Sequence, residues 1–372
     1  MNAKLKKRTE VQKKAVKEIV SSNFRGIVDV APRVGKSKIA IDAMKKLKKN
    51  KKVLIIAPFN PILESWRAEF EKWEFNFNGD IINQRSLDKV NISDYDLIIS
   101  DEIHTLSEYQ RHLLKAKKVL GFSGSISKKT KKILEEELFV RPIYTYTIAQ
   151  AIKDKIISDY QIKVISCNLD TKQKYIEVNT KNSKFKTTEW NNYQYLDSQF
   201  NKFKAMSWSN PRLNNVKMQM ASKRADFIYN SKTKLEACKK LVESMDERFL
   251  LFTARTNVAD SFGINSYHSK STADTLSMLC NKDIDKLAVC EMTSMGITVP
   301  DLKIGIFHQL KSSEENAIQK ILRMCNWEDG EVAKIYIFQY ANTQDEIWVN
   351  KALEPFDQSK IDYISLNKFE YA

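Results

Sequence analysis

From Lys51 to Gly124, short apolar runs alternate with amphipathic stretches. "KVLIIAPF", "DLIISDE" and "VLGFSGS" have strand length and end in turn residues, while "ILESWRAEFEKW" places Ile62, Trp66, Phe70 and Trp73 at helical spacing. Apolar runs separated by helices predict a parallel α/β sheet. The alternation returns after Ser231, where "KLEACKKLV" reads as helix, "RFLLFTAR", "KLAVCEM" and "DLKIGIFHQL" as strands, and "NAIQKILRMC" as a helix before the strand "AKIYIFQY". Between them, Thr171 to Thr233 shows no strand alternation and few turn signals. The expected fold class is therefore α/β, with two parallel-sheet lobes at residues 1–155 and 156–372 and a mostly helical insertion at about 171–230.

Composition narrows the partner. A chain of 372 residues with 42% apolar residues supplies a core for each lobe. No apolar run reaches the length of a spanning helix, and no apolar segment follows the basic start, so the expectation is a soluble, intracellular protein. Cys167, Cys238, Cys280, Cys290 and Cys325 are scattered and read as reduced core residues, and the four histidines form no metal-binding pattern. The net charge of +15 favours a polyanionic partner. The insertion concentrates that charge, with 12 Lys+Arg against 4 Asp+Glu and ten aromatics, among them Trp190, Tyr193, Phe203 and Trp208. Interleaved basic and aromatic residues suit a grip on nucleic acid, with Lys202, Lys204 and Arg224 as candidate contacts.

Two short segments carry the chemistry. "DVAPRVGKSKIAI" has the Gly-Lys-Ser of a phosphate loop, but Val30 stands where the usual pattern has its first glycine. Strand "GIVDV" before it and amphipathic helix "SKIAIDAMKKL" after it give the strand–loop–helix context in which backbone N–H groups cradle phosphate. Pro32, Arg33, Val34 and Gly35 then form the cradle, Lys36 neutralises the anion and Ser37 reaches magnesium. In "DLIISDEIH" a strand ends in Asp101-Glu102, at the sheet edge where open α/β sheets bind ligands. Asp101 can hold the metal, and Glu102 can orient or deprotonate an attacking water.

With these motifs the chain resembles a superfamily 2 helicase of the DEAD/DEAH type, with the box Asp101-Glu102-Ile103-His104. The resemblance implies two RecA-like lobes, with ATP and Mg2+ as cofactors. It further implies that Gln12 reads adenine, that Pro58 and Phe59 of the motif Ia segment touch nucleic acid, and that "GFSGSIS" is motif III. Lys128 and Lys129, just after motif III, become candidate backbone-phosphate contacts, with a solvated face as the alternative. "MTSMGITVPD" resembles motif V, with Gly296 at the nucleotide and Thr298 where Asp is common, and "AIQKILRMC" resembles motif VI. There Gln319 and Arg323 match, Arg323 as a γ-phosphate contact. Asn326 replaces the final arginine, which implies slow turnover or a substitute such as Arg255. Phe59, Trp66 and Trp73 have helical spacing, which assigns them to the helix–sheet core rather than to base stacking.

The expected function is an ATP-dependent DNA helicase or translocase of phage-like, branch-migration or restriction-enzyme-like type, in a bacterial or phage-infected cytoplasm. An RNA helicase, a weakly hydrolysing nucleic-acid clamp and a motor subunit of a larger complex are the alternatives.

Overall fold

The computed structural model describes residues 3–115, 117–124, 126–179, 183–271, 274–290, 299–310, 321–322 and 331–371. It divides into two compact units, one built on Met1–Asp159 and the other mainly on Tyr160–Glu291 and Ala333–Ala372.

The first unit is a six-stranded sheet: β1 (Gly26–Val30), β2 (Val53–Ala57), β3 (Gly79–Asn83), β4 (Leu97–Ser100), β5 (Val119–Ser123) and β6 (Pro142–Tyr146), in the order β3-β2-β4-β5-β1-β6. Every pair is parallel. The four central strands are buried at every residue, which explains why they read as continuous apolar runs rather than as alternation. Helices α1 (Ala3–Ser21), α2 (Lys36–Met44), α3 (Asn60–Lys72), α4 (Glu108–Leu114), α5 (Lys128–Leu138) and α6 (Ile148–Lys153) complete the unit. Because the sheet is parallel, the ends of β1, β4 and β5 emerge at one edge, and β5 lies between the other two.

A seven-stranded sheet forms the second unit: β7 (Asp159–Cys167), β10 (Phe249–Thr253), β11 (Asn265–Tyr267), β12 (Lys286–Cys290), β13 (Ile304–Phe307), β14 (Val332–Tyr340) and β15 (Ile361–Ser365), in the order β11-β12-β10-β13-β14-β7-β15. Two parallel sheets with interspersed helices match the expected tandem RecA-like lobes.

The insertion departs from expectation at its start. Strands β8 (Ile176–Asn179) and β9 (Lys184–Thr187) pair antiparallel as a separate ribbon, so the segment is not helical throughout. No residue of either strand is buried, and a solvated ribbon rich in lysine carries too little apolar signal to read from sequence. Helices α7 (Glu189–Ser209) and α8 (Asn214–Asn230) follow and pack on each other. Tyr193, Ile228 and Tyr229 anchor them to the core beneath β10 and β14. Buried Glu189 ties the insertion down: its carboxylate accepts from the backbone N of Asp170 (3.0 Å), the N of Lys232 (2.8 Å) and the hydroxyl of Thr233 (2.7 Å). It thereby satisfies open N–H groups where the next helix, α9 (Lys232–Ser244), begins.

Candidate functional site

The phosphate loop needs no glycine at position 30, because Val30 is still strand, fully buried and paired with Tyr146. The chain turns later, at Arg33 (φ 69°) and Gly35 (φ 97°), in the left-handed region that glycine enters without steric cost. A side chain on Gly35 would also meet the Gln12 amide nitrogen at 2.6 Å. Gln12, buried on α1, donates to the Val34 carbonyl at 2.7 Å and so fixes the loop from behind. No side chain caps the start of α2, which leaves backbone N–H groups and the positive end of the helix dipole open to an anion. Val34 is buried, whereas Pro32, Arg33, Gly35, Lys36 and Ser37 are half-buried.

At the end of β4, Asp101 N still donates to the Ile56 carbonyl (2.9 Å), and the chain then reverses through Glu102 at φ 46°. Thr105 holds this strained turn, its N and its hydroxyl both donating to the Glu102 carbonyl at 2.8 Å. The result brings two carboxylates to one ammonium. Lys36 Nζ pairs with Glu102 Oε1, and the other Glu102 oxygen accepts from the Ser123 hydroxyl at 3.3 Å. Asp101 accepts from the Trp66 indole N–H (3.0 Å) and from the backbone N of Glu102 (3.0 Å).

The three charges respond differently to this setting. Burial pushes the Asp101 carboxyl up, and the neighbouring Glu102 charge adds to that, outweighing the pull of Lys36. Burial also opposes ionisation of Glu102, yet Lys36, His104 and the hydrogen bond from Ser123 together hold it below the usual carboxylate range. For Lys36 burial acts downward, but Glu102, Asp101 and Asp29 outweigh it and raise the amine. The cluster is thus an ammonium held between carboxylates, with Asp101 the member that most lacks a cation.

Strand β5 opens the segment expected as motif III, and it supplies contacts that the sequence reading did not name residue by residue. Ser123 hydrogen-bonds Glu102 and, at 2.9 Å, His104 Nδ1. A Cβ on Gly121 would collide with Ile103 beneath the carboxylate turn, and one on Gly124 would press against Pro32 at 3.3 Å. The small residues of "GFSGSIS" therefore let β5 pass against both the carboxylate turn and the phosphate loop. Trp66, read as a core candidate, is 1% exposed and also orients Asp101. The apolar helix pattern hid that second role. Asp29 binds Lys131 of the "KKTKK" run at 2.7 Å, so this lysine is committed to the first lobe.

The candidate nucleic-acid residues divide by exposure. Lys128, Lys129, Lys202 and Lys204 are exposed, Phe59 is half-buried and Pro58 is buried. Arg224, the remaining candidate, is no open surface cation. It is 6% exposed, pairs with Asp197, donates to Gln344 at 3.1 Å and lies 4.1 Å from the Phe200 ring centroid. Among the aromatics, Tyr193 packs into the lobe and Trp190 packs against it, while Tyr195 and Trp208 are exposed. Arg255, the suggested substitute in motif VI, is paired with Asp226 and lies over Tyr229. Gly296, Thr298, Gln319, Arg323, Cys325 and Asn326 fall outside the described residues. The other four cysteines form no disulfide, and Cys167 and Cys238 are buried. Among the described residues no helix is long and apolar enough to cross a membrane.

Comparison with known proteins bears on the fold. Residues 5–92 match the family model described as type III restriction enzyme, res subunit. No curated protein matches the chain. Solved structures do match. Saccharomyces cerevisiae Dbp5 bound to RNA and ADP BeF3 superposes with a TM-score of 0.60 at 9% identity, covering 99% of this chain and 94% of that one. The ATP-dependent type ISP restriction-modification enzyme LlaBIII bound to DNA gives 0.58 at 14% identity, over 95% of this chain and 31% of that one. A fragment of a putative HsdR subunit of a type I restriction enzyme from Vibrio vulnificus gives 0.60 at 13% identity, over 97% and 70%. What the chain shares with these structures is the fold, two parallel sheets with interspersed helices.

Proposed function

We propose that the chain is an ATP-dependent DNA helicase or translocase that hydrolyses ATP to move along or remodel DNA. The observation that carries this reading is the convergence of Lys36, Asp101 and Glu102 beside the uncapped start of α2. ATP phosphates displace Lys36 from Glu102 and take its ammonium together with the N–H groups of the loop, and Gln12 borders the site where the adenine is read. Ser37 and Asp101 would hold Mg2+, whose charge would offset the burial that pushes the Asp101 carboxyl up. When bound, the ion neutralises charge developing on the phosphates. Glu102, released by Lys36 and still held by Ser123, orients the attacking water and takes its proton. By their motif resemblance alone, Arg323, Gln319 and Gly296 are the further residues assigned to the nucleotide.

In the first unit nucleic acid contacts the exposed Lys128 and Lys129 and the half-buried Phe59, and in the second the exposed Lys202 and Lys204. DNA is favoured over RNA by the restriction-enzyme match at residues 5–92 and by the DNA-bound LlaBIII neighbour. The Dbp5 neighbour keeps an RNA substrate as the second reading. A motor role within a larger cytoplasmic complex agrees with this chain spanning 31% of LlaBIII.

Two substitutions test the assignment. Lys36→Ala removes the phosphate counter-charge and weakens ATP binding itself. Glu102→Gln keeps binding and lowers single-turnover hydrolysis by ~10²–10⁴. Near-native turnover by Glu102→Gln sinks the assignment. Repeating the measurement with DNA and RNA as activators decides the polymer.

A further inference from the structure

The second unit holds a cleft of about 820 Å³ at the junction of the insertion with the helix Gln344–Leu353. It belongs to none of the motifs above. Trp190, Tyr193, Phe200 and Ile347 supply apolar walls, and Gln194, Asn201, Asn342 and Gln344 bring carboxamides to it. We propose that this cleft binds a nucleobase, one unpaired base of a single-stranded nucleic acid.

The chemistry of the lining selects that class of ligand. Clefts of roughly 300–1,000 Å³ suit molecules of nucleotide size, and planar walls suit planar rings. The charges lining the cleft balance in number: Arg224 pairs with Asp197, and one anion, Glu346, which accepts from the backbone N of Asn342 at 2.7 Å, stands against one cation, Lys204. A charged headgroup therefore gains little there, whereas a neutral heterocycle with donors and acceptors on its edge matches the carboxamides. Phe200 and the Arg224 guanidinium, stacked at 4.1 Å, form a rigid platform locked by Asp197 and Gln344. Such platforms are used for base stacking. Tyr193 is fixed in turn, since its hydroxyl accepts from Gln344 N at 2.8 Å. Lys204 is exposed among the lining residues, forms no ion pair among the described residues, and can take the phosphate attached to the base. The buried Arg224, which ends as no surface contact, acquires a role as the face of a stacking site.

This inference rests on the proposed nucleic-acid function, and its test separates the two. Binding of a fluorescently labelled oligothymidylate is compared with that of an abasic oligomer of equal length and charge, with thymidine monophosphate as a free competitor. The wild-type protein prefers the base-bearing strand by on the order of 10-fold. Phe200→Ala and, independently, Ser198→Trp, which fills the cleft from an exposed helical position, abolish that preference. Phe200→Tyr keeps it, and basal ATP hydrolysis is unchanged in all three. Competition by the free monophosphate at matching concentrations identifies a mononucleotide as the ligand and overturns the strand assignment. Equal binding of base-bearing and abasic strands, or a full preference in both disruptive variants, overturns the base pocket while leaving the motor reading intact. If neither strand binds and neither stimulates hydrolysis, both readings fall together.

Discussion

Each lobe contains a lysine–carboxylate pair, and the two are built to opposite ends. In the second lobe, Lys234 Nζ lies 2.6 Å from Asp345 and 2.6 Å from Oε1 of the Gln309 side chain. Gln309 Nε2 returns to Asp345 at 2.7 Å, and Tyr340 N donates to it at 3.0 Å. Lys234 and Asp345 are 0% exposed, and one cation cancels one anion. In the first lobe, the Lys36 and Glu102 side chains keep 19% and 14% of their exposure, and a second carboxylate, Asp101, stands beside them. A structural pair is balanced and closed. A site that awaits phosphate and a cation is left unbalanced and reachable.

Removing an anion sharpens the contrast most. Asp345→Ala strands a buried ammonium and lowers the stability of the second lobe by about 3–5 kcal/mol, read as a shift of its urea midpoint. Glu102→Gln, in the more open pair, changes stability by less than about 1 kcal/mol while stopping hydrolysis. Equal stability losses in the two variants would erase the distinction between the pairs.

A second test uses pH, because the closed network includes a residue beside it that cannot accept charge. His308 is fully buried, its ring nitrogens make no hydrogen bond among the described residues, and it meets Phe262 edge to face. Burial, with a smaller push from Lys234, holds its pKa well below the ordinary histidine value. The unfolded chain therefore binds a proton that the folded lobe refuses, so the contribution is complete above the ordinary histidine range and is lost as pH falls below it. The expected loss approaches about 1.4 kcal/mol per pH unit below that range. His308→Leu flattens the dependence; an unchanged slope in that variant assigns the acid sensitivity to other groups.

The smallest effect lies on the open side. Asp101 has a raised carboxyl, so its ionisation costs stability at neutral pH, and the cost appears as pH rises from the ordinary aspartate range through the folded value. Asp101→Asn should stabilise the first lobe by on the order of 1 kcal/mol at pH 7, a gain that vanishes in acid, while removing the response of ATP binding to Mg2+. A loss of stability at pH 7 would show that Asp101 is held by its partners and not strained by its burial.

The sequence by itself determined the two parallel sheets, since strands buried on both faces must be apolar throughout and the intervening helices must carry a periodic apolar stripe. It also singled out Lys36, Asp101 and Glu102, because turn, charge and strand end are local features. Only the tertiary structure decided what surrounds them. Strand order set β5 between β1 and β4, which brought Ser123 to Glu102 and made Gly121 and Gly124 places of close approach. Trp66 joined the site through a single N–H on an otherwise apolar side chain. Tertiary contacts likewise withdrew Arg224 from the surface and balanced Lys234 with an aspartate 111 residues away. Burial and charge compensation depend on neighbours that are distant in the chain, and periodicity along the chain carries no record of them.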